Sequence, residues 1–297
     1  MGYTAVPAST DTICRYVAYL DSIGHKSTTI PQYLNIISVM HKQAGLPNPI
    51  QGNWQIQSLL TGVKRVKGES VQQKLPVDQE MLFNIHKCLK PYCSLDMTFW
   101  AACLVAFFSF LRMGNLLLTS ASSFNPDSHL CLSDITFHKW GTLLKLRWTK
   151  TIQFRERILC IPLPQVYNSP LCPTAALKRA IMLSTNKGQK GPAFCYLHYC
   201  TGTIKALTYK EFLDKFRNCI SQVGYDAQLY ATHSFRRGGA AFAFQCGIPS
   251  DLIKAQGDWK SDAYLNYLSV PLQFRISTIQ KMIPNVLVTK LPSKCSN

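Results

Sequence analysis

The sequence predicts a mainly α protein with one small three-stranded antiparallel β-sheet, divided into two domains. Three observations predict it. The chain's 297 residues exceed one typical domain. Apolar residues recur at helical spacing in block after block, each opened by Ser, Thr, Asn, Asp or Pro and most closed by Gly. Only residues 132–163 switch to the alternation of strands.

Taken in order, residues 1–68 form a small helical domain. Residues 9–11 can cap a helix bearing Ile13, Val17, Leu20 and Ile23, stopped by Gly24. Ser27 or Thr28, with Pro31, opens a second helix carrying Leu34, Ile37 and Met40 up to Gly45. Asn53 caps a third with Ile56, Leu59, Leu60 and Val63, which ends in Lys64, Arg65 and Lys67 before Gly68. Those three cations suit either a solvated helix end or a contact with phosphate. Residues 69–77 are polar and without period, a linker. Residues 78–297 form the second domain. Asp78 opens a helix with Met81, Leu82, Ile85 and Leu89, and Ser94 caps a long apolar helix running to about Leu111. Arg112 follows at once, and an Arg beside a core helix marks either an anion site or a buried ion pair.

Strands over 134–137, 142–148 and 158–163 make a meander turning at Lys139-Trp140-Gly141. Lys150, Arg155 and Arg157 lie in the connection from its second to its third strand. Pro173 starts a helix to Leu183, and a polar loop follows over 185–194. Thr208 to Glu211 is a capping box ahead of Phe212, Phe216, Ile220 and Val223. Residues 231–268 then hold short, heavily punctuated helices. His233 and Arg236 share a face at i and i+3, an imidazole and a guanidinium fork that suit a phosphate. Gly247, Pro249 and Gly257 fold the chain back, and residues 261–262 can cap a last short helix with Tyr264 and Tyr267. Ile276, Ile279 and Ile283 continue as an amphipathic tail that packs on its own domain or on a neighbouring subunit.

Composition limits the function. Thirty-two Lys and Arg stand against 15 acidic residues, a net charge of +17. Nucleic acid is the first partner such a chain implies, and a membrane surface the second. A hydrophobic share of 47% supplies a core and argues against disorder. The apolar run 97–111 falls short of the ~20 residues that span a bilayer and reads as a core helix. The N-terminus lacks the basic and apolar regions of a signal peptide, and Val6 stands where a myristoylation signal needs Ser or Thr. Twelve cysteines are scattered singly with no C-x-x-C pair, as expected of reduced, small buried residues. Cys195, His198 and Cys200 fit no common zinc spacing.

The motifs FLRMGNLL around Arg112, WTKTIQF around Lys150, HSFRRGGA around His233 and Arg236, and GDWKSDAYLNYL around Trp259 and Tyr267 together resemble the tyrosine recombinases, the phage-integrase family. Within that family the likeness is closest to recombinases of eukaryotic mobile elements of the DIRS and Crypton kinds, and it runs from about residue 9 to residue 270. The resemblance implies a helical SAM-like core-binding domain followed by a catalytic domain. It implies that Arg112, Lys150, His233, Arg236, Trp259 and the nucleophile Tyr267 form the catalytic site, with Tyr264 as a packing residue. It implies cleavage and rejoining of double-stranded DNA through a 3′-phosphotyrosine, with no metal or nucleotide cofactor and no membrane partner. Lys64, Arg65, Lys67, Arg155, Arg157 and Lys260 are then candidate DNA contacts, and residues 269–283 the element passed between subunits of a synaptic homo-tetramer. A eukaryotic host implies a nuclear location, any other a cytoplasmic one. The chain departs from the family where Asn115 replaces an acidic residue, and its N-terminal domain is one helix short. Those departures motivate an alternative: a domesticated DNA-binding protein of the same fold that no longer cuts.

Overall fold

The computed structural model describes residues 6–68, 73–154, 156–184 and 190–267, with positions 276 and 280, and only the backbone of 266 and 267. The chain divides into two compact units, Met1–Gln73 and Lys74–Asn297.

The first unit is three helices: α1 (Thr10–Ser22), α2 (Ile30–Gln43) and α3 (Trp54–Lys67). Ser9 caps α1 by accepting from the Thr12 amide, and Asn53 caps α3 by accepting from the Ile56 amide. The apolar stripes predicted from the spacing meet in one core of Ile13, Val17, Leu20, Ile30, Leu34, Ile56 and Val63. The Lys67 ammonium turns back from the end of α3 onto the carbonyls of Asp21 and His25, at 2.9 and 2.8 Å. That contact closes α3 over the end of α1.

The second unit runs α4 (Gln79–Lys87), α5 (Ser94–Ser109), β1 (Ile135–His138), β2 (Gly141–Leu146), β3 (Leu159–Pro164), α6 (Pro173–Ser184), β4 (Cys195–His198), β5 (Thr203–Ala206), α7 (Tyr209–Gln222), α8 (His233–Gln245) and α9 (Ser250–Gln256). A 3₁₀ turn over Asp262–Tyr267 follows. α5 is the axis of this unit. It is apolar all round and buried along nearly its whole length, packing on α6, α8, β3 and β4. The sheet is the antiparallel meander β1-β2-β3 that the sequence predicts, and it faces the core through Ile135, Leu144 and Ile161 in register.

Three local expectations differ from the structure. Ser94 does not cap α5; it is the first helical residue, and its hydroxyl accepts from the Leu197 amide of β4 at 2.9 Å. Residues 74–77, read as the end of a linker, belong to the second unit, where the Leu75 amide donates to Leu229 (2.8 Å) and the Val77 amide to Ser234 (3.0 Å). A polar run without period still satisfies its backbone in this way, and side-chain spacing does not report it. The β4-β5 hairpin was not expected from the sequence, and it includes Cys195 and His198 from the cluster weighed for zinc. Among the described residues no group of three metal-binding side chains occurs. No described helix is long and apolar enough to cross a membrane. Of the expected C-terminal tail, only positions 276 and 280 fall among the described residues, and both are helical.

Candidate functional site

The site is built where the end of α5, the start of α8 and the segment after α9 converge. α5 stops at Ser109. Phe110 takes left-handed dihedrals (φ 53°), and the Leu111 amide donates to the Ser109 hydroxyl at 3.2 Å. A left-handed non-glycine residue costs on the order of 1–3 kcal/mol and persists only where its surroundings enforce it. Here the enforcement is visible. The carbonyl of Phe110 accepts from the Arg236 guanidinium, and its ring lies 6.4 Å from that of Trp259. Arg112 follows two residues on, half-buried, at the head of a 3₁₀ turn over Met113–Asn115.

α8 begins at His233, so His233 and Arg236 both lie in its first turn. Backbone N–H groups left open at a helix start favour an anion, and the two side chains add to that preference. The glycine pair after Arg237 lets α8 lie this close to its neighbours. A Cβ on Gly238 would stand 1.8 Å from the Val77 carbonyl oxygen, and one on Gly239 1.8 Å from that of Phe107. Arg236 is 1% exposed, a large cation to bury. The indole of Trp259 covers it, with the guanidinium carbon 3.7 Å from the ring centroid. A desolvated contact of this kind contributes ~2 kcal/mol. Phe110, Ala240, Ile253, Trp259 and Tyr264 form a small apolar cluster beneath it, with Tyr264 5.7 Å from Trp259 between ring centroids.

His233 is solvent-accessible, yet its imidazole is held below the usual histidine range. Desolvation lowers it first, then the charges of Arg236 and Arg112. The neutral imidazole therefore dominates at neutral pH, and both arginines act on this one group.

Lys150 lies in the β2-β3 connection, which reaches the same segment through Asp258. The β2-β3 connection makes a tight turn in which the amides of Thr149 and Ile152 each donate to the other's carbonyl, at 3.2 and 3.1 Å. Lys150 and Thr151 occupy its tip, and the lysine is exposed. Asp258, to which the sequence assigns no role, ties this turn to the segment that carries Trp259. Asp258 sits between Gly257 and Trp259 in a left-handed conformation (φ 52°) and is buried. Its carboxylate accepts from the hydroxyl of Thr149 at 2.9 Å, from the hydroxyl of Thr151 and from the Arg157 guanidinium. Burial pushes this carboxyl up, but the Thr151 hydroxyl, the Arg157 guanidinium and the Thr149 hydroxyl outweigh it and hold it below the ordinary aspartate range. Two threonines flanking a lysine, with an acid beside the tryptophan, were the signals available in TKT and GDW.

The structure therefore brings Arg112, His233, Arg236 and Trp259 together and ties the Lys150 turn to the same segment through Asp258. The backbone of Tyr267 closes the 3₁₀ turn over Asp262–Tyr267; its side chain lies outside the described residues. Of the candidate DNA contacts, Arg157 is engaged by Asp258 and Lys67 by Asp21, the latter at 2.7 Å. Lys64, Arg65 and Lys260 are exposed, and Arg155 lies outside the described residues.

Comparison with known proteins places this geometry in context. No family model matches the chain. It is 24% identical over 290 residues to an integrase/recombinase XerD homologue of Selenomonas ruminantium, covering 95% of this chain and 79% of that one. Among solved structures it is similar to the XerH site-specific recombinase bound to palindromic difH substrate in a post-cleavage complex. That match has a TM-score of 0.62 at 14% identity and covers 94% of this chain and 73% of the other. It is also similar to the Tn1549 transposon integrase in complex with transposon right-end DNA, with a TM-score of 0.58 at 11% identity over 95% and 88% of the two chains. A lambda integrase dimer bound to a COC′ core site gives 0.56 at 12% identity over 91% and 83%. The fold is that of the tyrosine recombinases.

Proposed function

We propose that this chain, which has the tyrosine-recombinase fold, is a site-specific DNA recombinase that breaks and rejoins DNA strands through a phosphotyrosine at Tyr267. The observation that carries the reading is the buried Arg236, stacked under Trp259 in the first turn of α8, with His233 and Arg112 beside it. This is an anion site walled by donors, and DNA supplies the anion to a chain of net charge +17.

The chemistry follows from these groups. The Tyr267 oxygen forms a bond to the scissile phosphorus as the bond from phosphorus to the 5′ oxygen breaks. Arg112 and Arg236 fork onto the phosphorane oxygens where negative charge builds, and the indole N–H of Trp259 adds a donor. His233, kept neutral by its surroundings, accepts the tyrosine proton. Lys150 delivers a proton to the leaving 5′ oxygen from its exposed turn. The product is a 3′-phosphotyrosine and a free 5′ hydroxyl, and reversal of the step rejoins the strand without an outside energy source. The HSFRRGGA and GDWKSDAYLNYL motifs support placing it nearest the recombinases of eukaryotic DIRS and Crypton elements, acting in the nucleus as a homo-tetramer on paired sites.

One observation favours a second reading, a domesticated DNA-binding protein that no longer cuts. Asn115 is uncharged, and the charges that shift His233 are both cationic. A nicked duplex that traps covalent intermediates separates the two readings. Incubated with candidate element ends and run on a denaturing gel, the parent protein yields a protein–DNA adduct and Tyr267→Phe yields none. An adduct that persists in Tyr267→Phe overturns the nucleophile. Salt-sensitive binding with no adduct from the parent on any of several sites establishes the second reading.

A further inference from the structure

Asp258 accepts three hydrogen bonds from residues 101 to 109 positions away in sequence, all within the β2-β3 connection. Two come from the threonines on either side of Lys150, so the lysine is held from both flanks while its own side chain stays exposed. The third, Arg157, fixes the far end of the same connection. On the other side Asp258 is bonded directly to Trp259, the residue that covers Arg236. Gly257 before it has no space for a side chain, because a Cβ there would stand 1.7 Å from the Trp259 ring. The aspartate thus sits at a joint with no slack, between the wall that binds the anion and the turn that carries a cation. A free lysine on a loop samples many rotamers about four bonds, and anchoring its backbone on both sides removes most of that search.

We propose that Asp258 is a positioning residue that locks the Lys150 turn to the Trp259–Arg236 wall and thereby sets how efficiently Lys150 protonates the leaving 5′ oxygen. This rests on the recombinase reading above. Asp258 does not touch the DNA; it acts through Thr149, Thr151 and the backbone between them.

The test uses the full chain and two nicked duplexes differing in one atom. In one the leaving atom is the ordinary 5′ oxygen. In the other it is a bridging sulfur, whose thiolate leaves without a proton because thiols ionise near pH 8.5. The variants are Lys150→Ala and Asp258→Asn. Asparagine tolerates the left-handed conformation and nearly matches aspartate in shape, so the backbone is kept while the charge that grips the threonines and Arg157 is lost. On the oxygen substrate Lys150→Ala cleaves ~10²–10⁴-fold slower in single turnover, and Asp258→Asn at least ~10-fold slower. On the sulfur substrate both return to within ~3-fold of the parent. Equal loss by Asp258→Asn on both substrates, or no loss on either, overturns the proposal. Amide exchange supplies a second arm that does not depend on catalysis. Thr149 and Ile152 exchange faster in Asp258→Asn if the lock exists, and unchanged exchange overturns it. If the parent forms no adduct on either substrate, the recombinase reading and the acid role fall together, while exchange still decides whether Asp258 locks the turn.

Discussion

The two walls of the site are stabilised by different physics. The α8 wall is dry: Arg236 and Trp259 are buried against Phe110 and Ala240, and two glycines bring backbones to within reach of each other. The Lys150 wall is a surface turn closed by its own Thr149–Ile152 backbone bonds and tied down by hydrogen bonds to a single carboxylate. The first wall is rigid because any change in volume is felt throughout a close-packed interior. The second is rooted on the buried Ile152 and tied down by polar contacts, each modest in net worth. On the proposed reading, a packed anion cradle stands beside an exposed lysine whose backbone is tied down on both flanks.

That contrast can be broken at several strengths. The largest effect should come from Trp259→Ala, which empties the cover over Arg236 and leaves a cavity among Phe110, Ile253 and Tyr264. Loss of a buried tryptophan costs about 3–5 kcal/mol, measurable as a shift in the urea midpoint. A shift below ~1 kcal/mol would mean this wall is not packed as described. An intermediate effect is expected for Asp258→Asn, at roughly 1.5–3 kcal/mol near neutral pH, the usual worth of hydrogen bonds to a charged group. Its pH dependence has a defined sign. The folded carboxyl lies below its unfolded value, so the stabilisation is fully present above the ordinary aspartate pKa. It is lost as pH falls through the lower folded value, and unfolding curves of parent and variant should converge in acid. A constant gap across that range would assign the loss to packing instead. The smallest effect on stability is expected for Lys150→Ala, within about 0.5 kcal/mol of the parent because the side chain is exposed. On the proposed reading, a large loss of strand cleavage with almost none of stability is the signature of an exposed lysine on an anchored turn.

The difference between the walls also explains what was legible in the sequence. His233 and Arg236 announce themselves by helical spacing, and the α5 run ending at Arg112 by uninterrupted apolarity. The meander showed in its alternation, and all three strands formed within a few residues of the expected positions. Asp258 had no periodic signal, since its partners lie some hundred residues away and its left-handed φ of 52° is not announced by a glycine. Ser94 looked like a cap because capping rules see only local chain, whereas its hydroxyl is claimed by Leu197 in another element. The β4-β5 hairpin gave no clear signal in the sequence, because strands of four residues each are too short for alternation to stand out. Gly202, with φ of 63° in its turn, was the clue that the run reverses direction.

The grip of one carboxylate on both Thr149 and Thr151 has a consequence for how this stretch tolerates change in length. The identity of residue 150 is free as far as the grip is concerned, because its side chain takes no part. The number of residues between the two hydroxyls is not free. An insertion or deletion there would pull one threonine out of reach, whatever residue was added. Codon-sized insertions scanned along the chain should therefore be rejected between positions 149 and 151 even though the turn lies at the surface, where loops ordinarily accept them.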